Sequence, residues 1–251
     1  FIELGIATYL HVPSPGLLDL VLKEDATHFV FEGRECGGHV GPRYSFVLWE
    51  QAIALLAQHD RPETLHILFA GGIHDARSSA MVAAIAAPLA ARGAKVGVLM
   101  GTAYIATEEA VRDGAVLADF QRKALGGEST ALVETAPGHA IRCLPSGFMG
   151  LFAREKARLR SEGVEQKAAW QALESLTVGR LRIASKGVDY VDGVLVPVDA
   201  ALQEAEGMYM IGQASALRRE VVTIAALHED ATRGSVRYLD AVAVPALPRQ
   251  A

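Results

Sequence analysis

The chain has 251 residues, of which 51% are hydrophobic and 21% are charged, a balance typical of a globular protein with a sizeable core. Its formal net charge of −5 leaves no basic surface of the kind that binds nucleic acid, so we expect no nucleic-acid partner. Its longest apolar run, residues 80–91, is too short to span a bilayer, and its two cysteines are too few for a disulfide framework, so we expect a cytoplasmic protein without a membrane partner.

The first half of the chain predicts alternating strands and helices. Ser14 and Pro15 have the residue types of a helix start, since Ser14 can cap the helix and Pro15 suits its first turn. Asp75 can cap a later helix in the same way. Strands are predicted at residues 8–12, 28–31, 66–70 and 95–100, and helices at residues 15–25, 45–58, 76–92 and from 107 onward. Apolar strands that alternate with helices predict a parallel α/β sheet or barrel.

The second half has a different pattern. We predict a loop-rich stretch at residues 137–150, one or two surface helices within 152–176, a short strand or extended segment at 194–198 and a last helix at 217–232. Residues 242–251 contain two prolines and predict an interdomain tail. Because the sequence begins without a methionine, we expect a fragment or an excised domain.

Four glycines surround one histidine in residues 32–41, Glu-Gly-Arg-Glu-Cys-Gly-Gly-His-Val-Gly, directly after the second long apolar run. Glycine lets a backbone turn tightly and approach a ligand closely, because it has no Cβ. An imidazole beside such a loop can act as an acid, a base or an orienting donor near neutral pH. The alternative is a strained turn with a solvated histidine, and this stretch alone does not decide between them.

Glycines also follow the next two strands, as Gly71-Gly72 and Gly101-Thr102. Ligands of parallel α/β folds bind at the carboxyl ends of the strands, where free backbone N–H groups can point at phosphate oxygens. Three glycine features at the same end of successive strands therefore favour a phosphate-bearing cofactor. The spacing matches neither a dinucleotide-binding fingerprint nor a P-loop.

Other reactive side chains have weaker claims. His139 lies in the predicted loop region, where it could fold over the site. Cys36 and Cys143 have no assigned base partner, so we interpret them as packing residues. The sequence has no paired-cysteine motif and no zinc-protease or serine-hydrolase motif, and we expect no metal.

Three motifs together resemble the nitronate monooxygenase (2-nitropropane dioxygenase) family, which includes the flavin-dependent bacterial enoyl-acyl-carrier reductases. They are Glu32-Gly-x-Glu-Cys-Gly-Gly-His39-x-Gly41, Phe69-Ala-Gly-Gly-Ile73-x-Asp75 and Met100-Gly101-Thr102. They cover residues 1–110. The second half, with Gly138-His139-x-x-Arg142-Cys143 and Gly207-Met-Tyr-Met-Ile-Gly-Gln213, is similar to the version attached to polyketide and polyunsaturated fatty acid synthases.

The resemblance implies an α/β fold, namely the C-terminal portion of an FMN-binding TIM (β/α)8 barrel with an added, mostly helical C-terminal segment. Residues 1–135 would be the half barrel, residues 136–240 a helical or lid segment packed on it, and residues 241–251 a tail or interdomain linker. FMN would bind at the carboxyl ends of the strands.

Site residues follow from the same resemblance. His39 takes the position of the catalytic histidine that faces the substrate, where it abstracts a proton from a nitroalkane or assists reduction of an enoyl group. Gln213 would close the site from the C-terminal segment. The positions that would bind the cofactor are Glu32, Gly37, Gly38, Gly71, Gly72, Leu99, Met100, Gly101 and Thr102.

Two positions depart from the family pattern. Leu99 replaces the usual glutamine and removes a polar contact to the cofactor, and Ala103 stands where the family often has an arginine. A half barrel also exposes two sheet edges. We therefore expect this chain alone to bind FMN poorly, or to pair with the missing N-terminal half of its barrel, with neighbouring synthase domains or with a second copy of itself.

The resemblance implies an FMN-dependent oxidoreductase of the nitronate monooxygenase class that oxidises nitroalkanes or nitronates. The alternative is a flavin-dependent enoyl reductase domain of a polyketide or fatty acid synthase, with NAD(P)H as electron donor and an acyl thioester as substrate. A second alternative is a non-catalytic scaffold half barrel, which the changes at Leu99 and Ala103 favour.

Overall fold

The computed structural model describes residue 1 and residues 4–241. The predicted tail at 242–251 lies outside the described residues. The strands are β1 (Leu10–His11), β2 (His28–Glu32), β3 (Gly38–Val40), β4 (His66–Ala70), β5 (Lys95–Leu99), β6 (Ala131–Ala136), β7 (His139–Cys143), β8 (Val188–Val191) and β9 (Val194–Pro197).

Helices separate most of these strands. They are α1 (Pro15–Leu22), α2 (Ser45–Leu56), α3 (Ala76–Ala90), α4 (Thr102–Ile105), α5 (Glu108–Arg112), α6 (Ala118–Gly126), α7 (Gly147–Ser161), α8 (Gln166–Thr177), α9 (Arg180–Lys186), α10 (Ala200–Glu206), α11 (Ile224–Ala231) and α12 (Arg233–Ala241). Short 3₁₀ helices span Pro62–Thr64 and Gln213–Leu217.

The first half forms a four-stranded parallel sheet in the order β1-β2-β4-β5. Its strands are short apolar runs, as the sequence predicts, and Phe29, Phe31 and Phe69 are fully buried where they meet α2 and α3. The Trp49 indole donates a hydrogen bond to the carbonyl of Phe31 (3.1 Å), which fixes α2 against β2. Four parallel strands linked by helices make up half of the eight strands of a (β/α)8 barrel.

Both predicted helix caps are confirmed. The Ser14 hydroxyl accepts a hydrogen bond from the N–H of Leu17 (3.4 Å), and Pro15 occupies the first turn of α1. The Asp75 carboxylate caps α3 by accepting a hydrogen bond from the N–H of Ser78 (2.8 Å). In return, the Ser78 hydroxyl oxygen accepts a hydrogen bond from the N–H of Asp75 (3.0 Å). This reciprocal box fixes the start of α3 at Ala76, with three residues between it and the glycine pair Gly71-Gly72.

Loss of the Asp75 cap should cost measurable stability. We expect Asp75→Ala to lower the free energy of unfolding by about 1–2 kcal/mol, and Asp75→Asn by less, since asparagine is also a good cap. Partial burial alone would raise the pKa of the Asp75 carboxyl, but the hydrogen bonds from Ser78 lower it below its ordinary value of 3.8. The carboxylate's contribution is therefore complete at neutral pH and is lost as the pH falls below about 4. Urea unfolding at pH 7 and pH 3 tests both statements, because the difference between the wild type and Asp75→Asn should shrink at the lower pH.

A second sheet includes residues that were predicted to lie in loops. It has the order β3-β7-β6 with antiparallel pairing, and His39 lies opposite Ile141. The interpretation of residues 137–150 as loop-rich is therefore wrong, because β7 and the start of α7 lie there. The division expected between residues 135 and 136 falls inside the β6–β7 hairpin, whose ladder makes both strands one unit. The sequence gives little indication of this second sheet, because β3 has only three residues and is too short to show an alternating pattern.

The prediction of one or two surface helices within residues 152–176 is confirmed: two helices, α7 and α8, cover this stretch, and α7 begins earlier, at Gly147. Phe148, Phe152, Leu159 and Leu173 are buried against the β6–β7 hairpin. The helix predicted at 217–232 begins at Ile224, because the residues just before it are extended and Val222 pairs with Thr107. β-Branched side chains favour such extended backbone. It is not the last helix of the described residues, since α12 follows it.

The C-terminal segment packs back onto the parallel sheet and its helices. α11 and α12 lie against α3, and the Asp230 carboxylate accepts a hydrogen bond from the first N–H of α3, at Ala76 (2.9 Å). Among the described helices, none combines the length and the apolar character that crossing a lipid bilayer requires.

Candidate functional site

A cavity of about 550 Å³ lies at the carboxyl ends of β2, β4 and β5. All nine positions that the family resemblance assigns to the cofactor line it: Glu32, Gly37, Gly38, Gly71, Gly72, Leu99, Met100, Gly101 and Thr102. The structure thus brings three separate glycine features to one volume, which lies within the usual size range of cofactor and ligand pockets.

The loop after β2 forms one wall of the cavity because it is fixed from several sides. The Glu35 carboxylate accepts a hydrogen bond from the N–H of Ser45 at the start of α2 (3.1 Å), and the Glu35 carbonyl accepts one from the N–H of Gln213 (2.9 Å). At Gly37 the backbone touches the C-terminal segment so closely that a Cβ would lie 2.5 Å from the carbonyl carbon of Ile211. Only glycine fits this contact.

Residues after β4 and β5 form the second wall. Gly71 and Gly72 have φ angles of +107° and +72°, a region that favours glycine. The backbone N–H groups of Gly72, Ile73 and Gly101 have no hydrogen-bond acceptor within the described part of the chain. A Cβ built on Gly101 meets no atom within 4 Å, so this glycine borders open space.

Thr102 joins the second wall to the C-terminal segment. Its hydroxyl oxygen accepts a hydrogen bond from the N–H of Gly212 (2.9 Å) and keeps its own proton available for a ligand. Met210, Ile211 and Gly212 all line the cavity. The sequence motif at residues 207–213 signals this wall, although the resemblance assigned only Gln213 from it. Gln213 itself is exposed and lies outside the cavity lining.

The rest of the lining was missed by the sequence analysis. Three of these residues, Cys36, Ala70 and Ile73, lie within the motif segments. The others are apolar, apart from Ser185, and come from segments whose pattern resembles ordinary core: Ile105, Ala115, Val116, Phe120, Leu181, Ser185 and Ala214. Local spacing gave no signal for these residues. Leu99, which replaces the family's glutamine, lines the cavity, whereas Ala103 is fully buried and is not part of the lining.

His39 lies beside this cavity and not in its lining. Its side chain is exposed on β3 and lines a smaller neighbouring cavity of about 130 Å³, together with His11, Val12 and Glu32. Glu32 lines both cavities, and its carboxylate lies 3.3 Å from Nδ1 of His11. His139 is exposed at the start of β7 and is absent from both linings.

The charges around the main cavity are few. Its described lining includes Glu32 but no lysine, arginine or histidine. A negatively charged ligand group would therefore meet N–H and hydroxyl donors and no full positive charge. Within the described residues no three histidine, cysteine or acidic side chains are grouped to hold a metal ion.

Both cysteines are buried, as their interpretation as packing residues expects. Burial raises the pKa of Cys143 to about 11. For Cys36, burial and then the negative charges of Glu32 and Glu35 raise the pKa far above its ordinary range. A protonated, covered thiol is a poor nucleophile.

Neither thiol should react with Ellman's reagent in the folded chain at pH 8. In urea we expect both to react, since unfolding exposes them and restores ordinary pKa values. Thiol titration by absorbance measures both states. Rapid reaction of one thiol in the folded chain would show that Cys36 or Cys143 is accessible and would contradict its role as a packing residue.

Similarity to known proteins identifies the class to which the chain belongs. The nitronate monooxygenase family model matches residues 3–233, so the chain belongs to this family. No curated protein sequence gives a significant match.

Solved structures share the fold. FabK from Thermotoga maritima is 24% identical, with a TM-score of 0.66, over 95% of this chain and 64% of that one. A nitroalkane oxidase from Streptomyces ansochromogenes is 22% identical, with a TM-score of 0.60, over 94% of this chain and 59% of that one. The chain therefore spans less than two-thirds of the length of these structures. Over that part it shares their TIM-barrel fold.

Proposed function

We propose that the cavity holds FMN and that the chain belongs to an FMN-dependent oxidoreductase that oxidises nitroalkanes or nitronates. The observation that carries the proposal is the convergence of nine family cofactor positions, from separate parts of the chain, on one cavity of about 550 Å³. Membership of the nitronate monooxygenase family supports this reaction class.

The residues present fit the group. Gly101 borders open space and leaves room for close approach, and the N–H groups of Gly72, Ile73 and Gly101 together with the Thr102 hydroxyl are donors suited to a phosphate. Ile105, Val116 and Phe120 offer an apolar surface on the opposite side. When bound, FMN supplies the oxidation–reduction chemistry, and the protein supplies binding and orientation.

His39 is the residue we propose to move the substrate proton. It lies on β3 next to Gly38, which lines the cofactor cavity, and its exposed imidazole borders the smaller cavity. A substrate in the smaller cavity would therefore lie beside both the cofactor site and an imidazole that can accept or donate a proton.

Titration with FMN and riboflavin tests the placement of the phosphate. FMN should bind at least about tenfold more tightly than riboflavin, since only FMN engages the N–H and hydroxyl donors. The binding is measured by quenching of flavin fluorescence, with the chain in excess. Equal affinities for the two flavins would contradict a phosphate at Gly71-Gly72 and Gly101-Thr102.

We further propose that the open edges of the sheet pair with other strands of the barrel. Within the described part of the chain, β1 and β5 each have one edge without a partner strand, and Leu10 and Leu99 on them are exposed. Exposed strand edges promote association. The chain alone should therefore bind FMN only weakly, and one FMN retained per purified chain would contradict this proposal.

Reduction of an enoyl thioester by NAD(P)H is the second candidate, because the fold is shared with FabK. Incubation with FMN separates the candidates. Consumption of a nitroalkane with oxygen supports the first reaction, and oxidation of NAD(P)H by an enoyl thioester supports the second. Absence of flavin binding, even with the remaining barrel strands supplied, would favour a scaffold.

A further inference from the structure

We infer that the amino end of the parallel sheet is sensitive to acid: protonation of His66, at the centre of a row of basic side chains, weakens the pairing of β4 with β2 and β5. The row consists of His28, His66 and Lys95 and is called the basic row below. It lies at the opposite end of the strands from the cavity, so the inference does not rest on the proposed function.

Strand register brings the basic row together. His28, His66 and Lys95 are the first residues of β2, β4 and β5, with His28 opposite His66 and His66 opposite Lys95. Successive residues of a strand point to opposite faces of a sheet. The next residues of β2 and β4, Phe29 and Ile67, are buried in the core that the sheet forms with its helices. The basic row therefore lies on the other face of the sheet, at one level of three adjacent strands.

The rings within the row are in close contact. The imidazoles of His28 and His66 stack with their centroids 4.1 Å apart, and the ring of Tyr9 lies edge-on to His28 at 5.0 Å. The Thr27 hydroxyl lies 2.9 Å from Nδ1 of His28 and holds that ring in place. Both imidazoles are half-buried. A positive charge on His66 therefore has an imidazole ring on one side in place of water.

No negative charge balances the row. Among the described residues, no carboxylate lies within ion-pair distance of His28, His66 or Lys95, and Glu63, the nearest carboxylate before β4 in the chain, forms no ion pair with them. The titratable groups that act on His66 are His28 from β2 and Lys95 from β5, and both are basic. A neighbouring like charge disfavours the protonated form of an imidazole.

These surroundings set the direction of the pH dependence. Burial, and then the basic groups of His28 and Lys95, lower the pKa of His66 below its ordinary value of 6.5. The unfolded chain therefore binds a proton at His66 more tightly than the folded chain does. The stability that depends on a neutral His66 is complete above pH 6.5 and is lost as the pH falls below that value.

Two backbone hydrogen bonds lie directly at the basic row. The N–H of His66 donates to the carbonyl of Thr27 (2.8 Å), and the N–H of Lys95 donates to the carbonyl of Leu65 (2.9 Å). They are the first bonds of the β2–β4 and β4–β5 pairings, so repulsion within the row opens them first. At the far end of β4, about 13 Å away, the N–H of Gly33 donates to the carbonyl of Ala70 (2.9 Å).

Amide hydrogen exchange, followed by NMR at pH 7.5 and pH 5.5, tests the inference at these single bonds. Protection factors are compared, because they correct for the effect of pH on intrinsic exchange. Protection of the His66 and Lys95 amides should fall at least about threefold at the lower pH, the size expected for repulsion between partly exposed charges. Protection of the Gly33 amide should stay within about 1.5-fold, because this bond is far from the row.

Two lysine variants remove the same charge at different places. Lys95→Gln should reduce the pH effect on the His66 amide and raise the pKa of His66, measured by NMR titration of its ring protons, towards 6.5. Lys167→Gln, on the exposed surface of α8, is the matched control and should change neither quantity. His66→Gln should abolish the pH effect at the Lys95 amide.

Loss of protection that is confined to the amino-end amides and reduced by Lys95→Gln, but not by Lys167→Gln, supports the inference. Equal protection at both pH values, an equal fall at the Gly33 amide, or a His66 that titrates at or above pH 6.5 each overturns it. If His66→Gln does not fold, the wild type and the two lysine variants still decide. None of these measurements requires flavin, so failure of the proposed function would leave the result standing.

Discussion

Gly37→Ala should lower both the stability of the chain and its affinity for FMN. A Cβ at this position would lie 2.5 Å from the carbonyl carbon of Ile211 and 2.6 Å from the N of Gly212. Both neighbours are backbone atoms, so no side-chain rotation relieves the clash. We expect the free energy of unfolding to fall by about 3 kcal/mol, the upper part of the range for overpacking.

Two other glycines serve as controls for this prediction. Gly16→Ala in α1 adds a Cβ that meets no atom within 4 Å, so its stability should be equal to or slightly above that of the wild type. Gly101→Val also meets no protein atom at its Cβ position, but it fills the cavity border, so FMN affinity should fall at least about tenfold with little change in stability.

Urea unfolding and flavin titration of the three variants measure both quantities. Neutral substitutions usually change the free energy of unfolding by no more than about 0.5 kcal/mol. If the free energy of unfolding of Gly37→Ala lies within that range of the wild type, then the contact between the glycine loop and the C-terminal segment does not hold the cavity wall.

Arg142→Met should have the second large effect. The Arg142 side chain is buried on β7, and its guanidinium donates two hydrogen bonds to the carbonyl of Arg34 (3.2 and 3.0 Å) and one to the hydroxyl of Thr130 (2.8 Å). Methionine preserves much of the volume but leaves the Arg34 carbonyl without these donors. Hydrogen bonds to charged groups contribute about 1.5–3 kcal/mol, so we expect a loss near 3 kcal/mol.

The same substitution should weaken FMN binding, because Arg142 anchors the loop that brings Gly37 and Gly38 to the cavity. Arg160→Met is the matched control, since Arg160 is exposed on α7 and should change stability by no more than about 0.5 kcal/mol. Equal unfolding midpoints for the two methionine variants would show that the buried guanidinium is not needed for this loop.

The parts of the fold that the sequence predicts are those with local causes. β2, β4 and β5 are continuous apolar runs, and α1 and α3 start at capping residues, so each element is determined by its own residues. The pairing of β3 with β7 has no such local cause. It joins Gly38 to Arg142 across a distant part of the chain, and a three-residue strand has no periodicity to detect.

The candidate site divides in the same way. Glycine pairs at strand ends are visible in sequence, and the structure places all of them around one cavity. The pairing of His11 with Glu32 depends on which strands are neighbours, and the apolar wall at Val116 and Phe120 depends on how later helices pack. These features follow from tertiary packing, which local residue patterns do not encode.

The hydrogen bond between Thr102 and Gly212 joins two walls of the cavity that are synthesised at different times. The two residues are 110 positions apart in the chain. At about 5–20 residues per second, the ribosome adds the last wall roughly 5–20 s after the glycine features of β4 and β5 have been made. The nascent chain therefore has three sides of the cavity before it has the fourth, and a cofactor can be enclosed only after translation has passed Gly212.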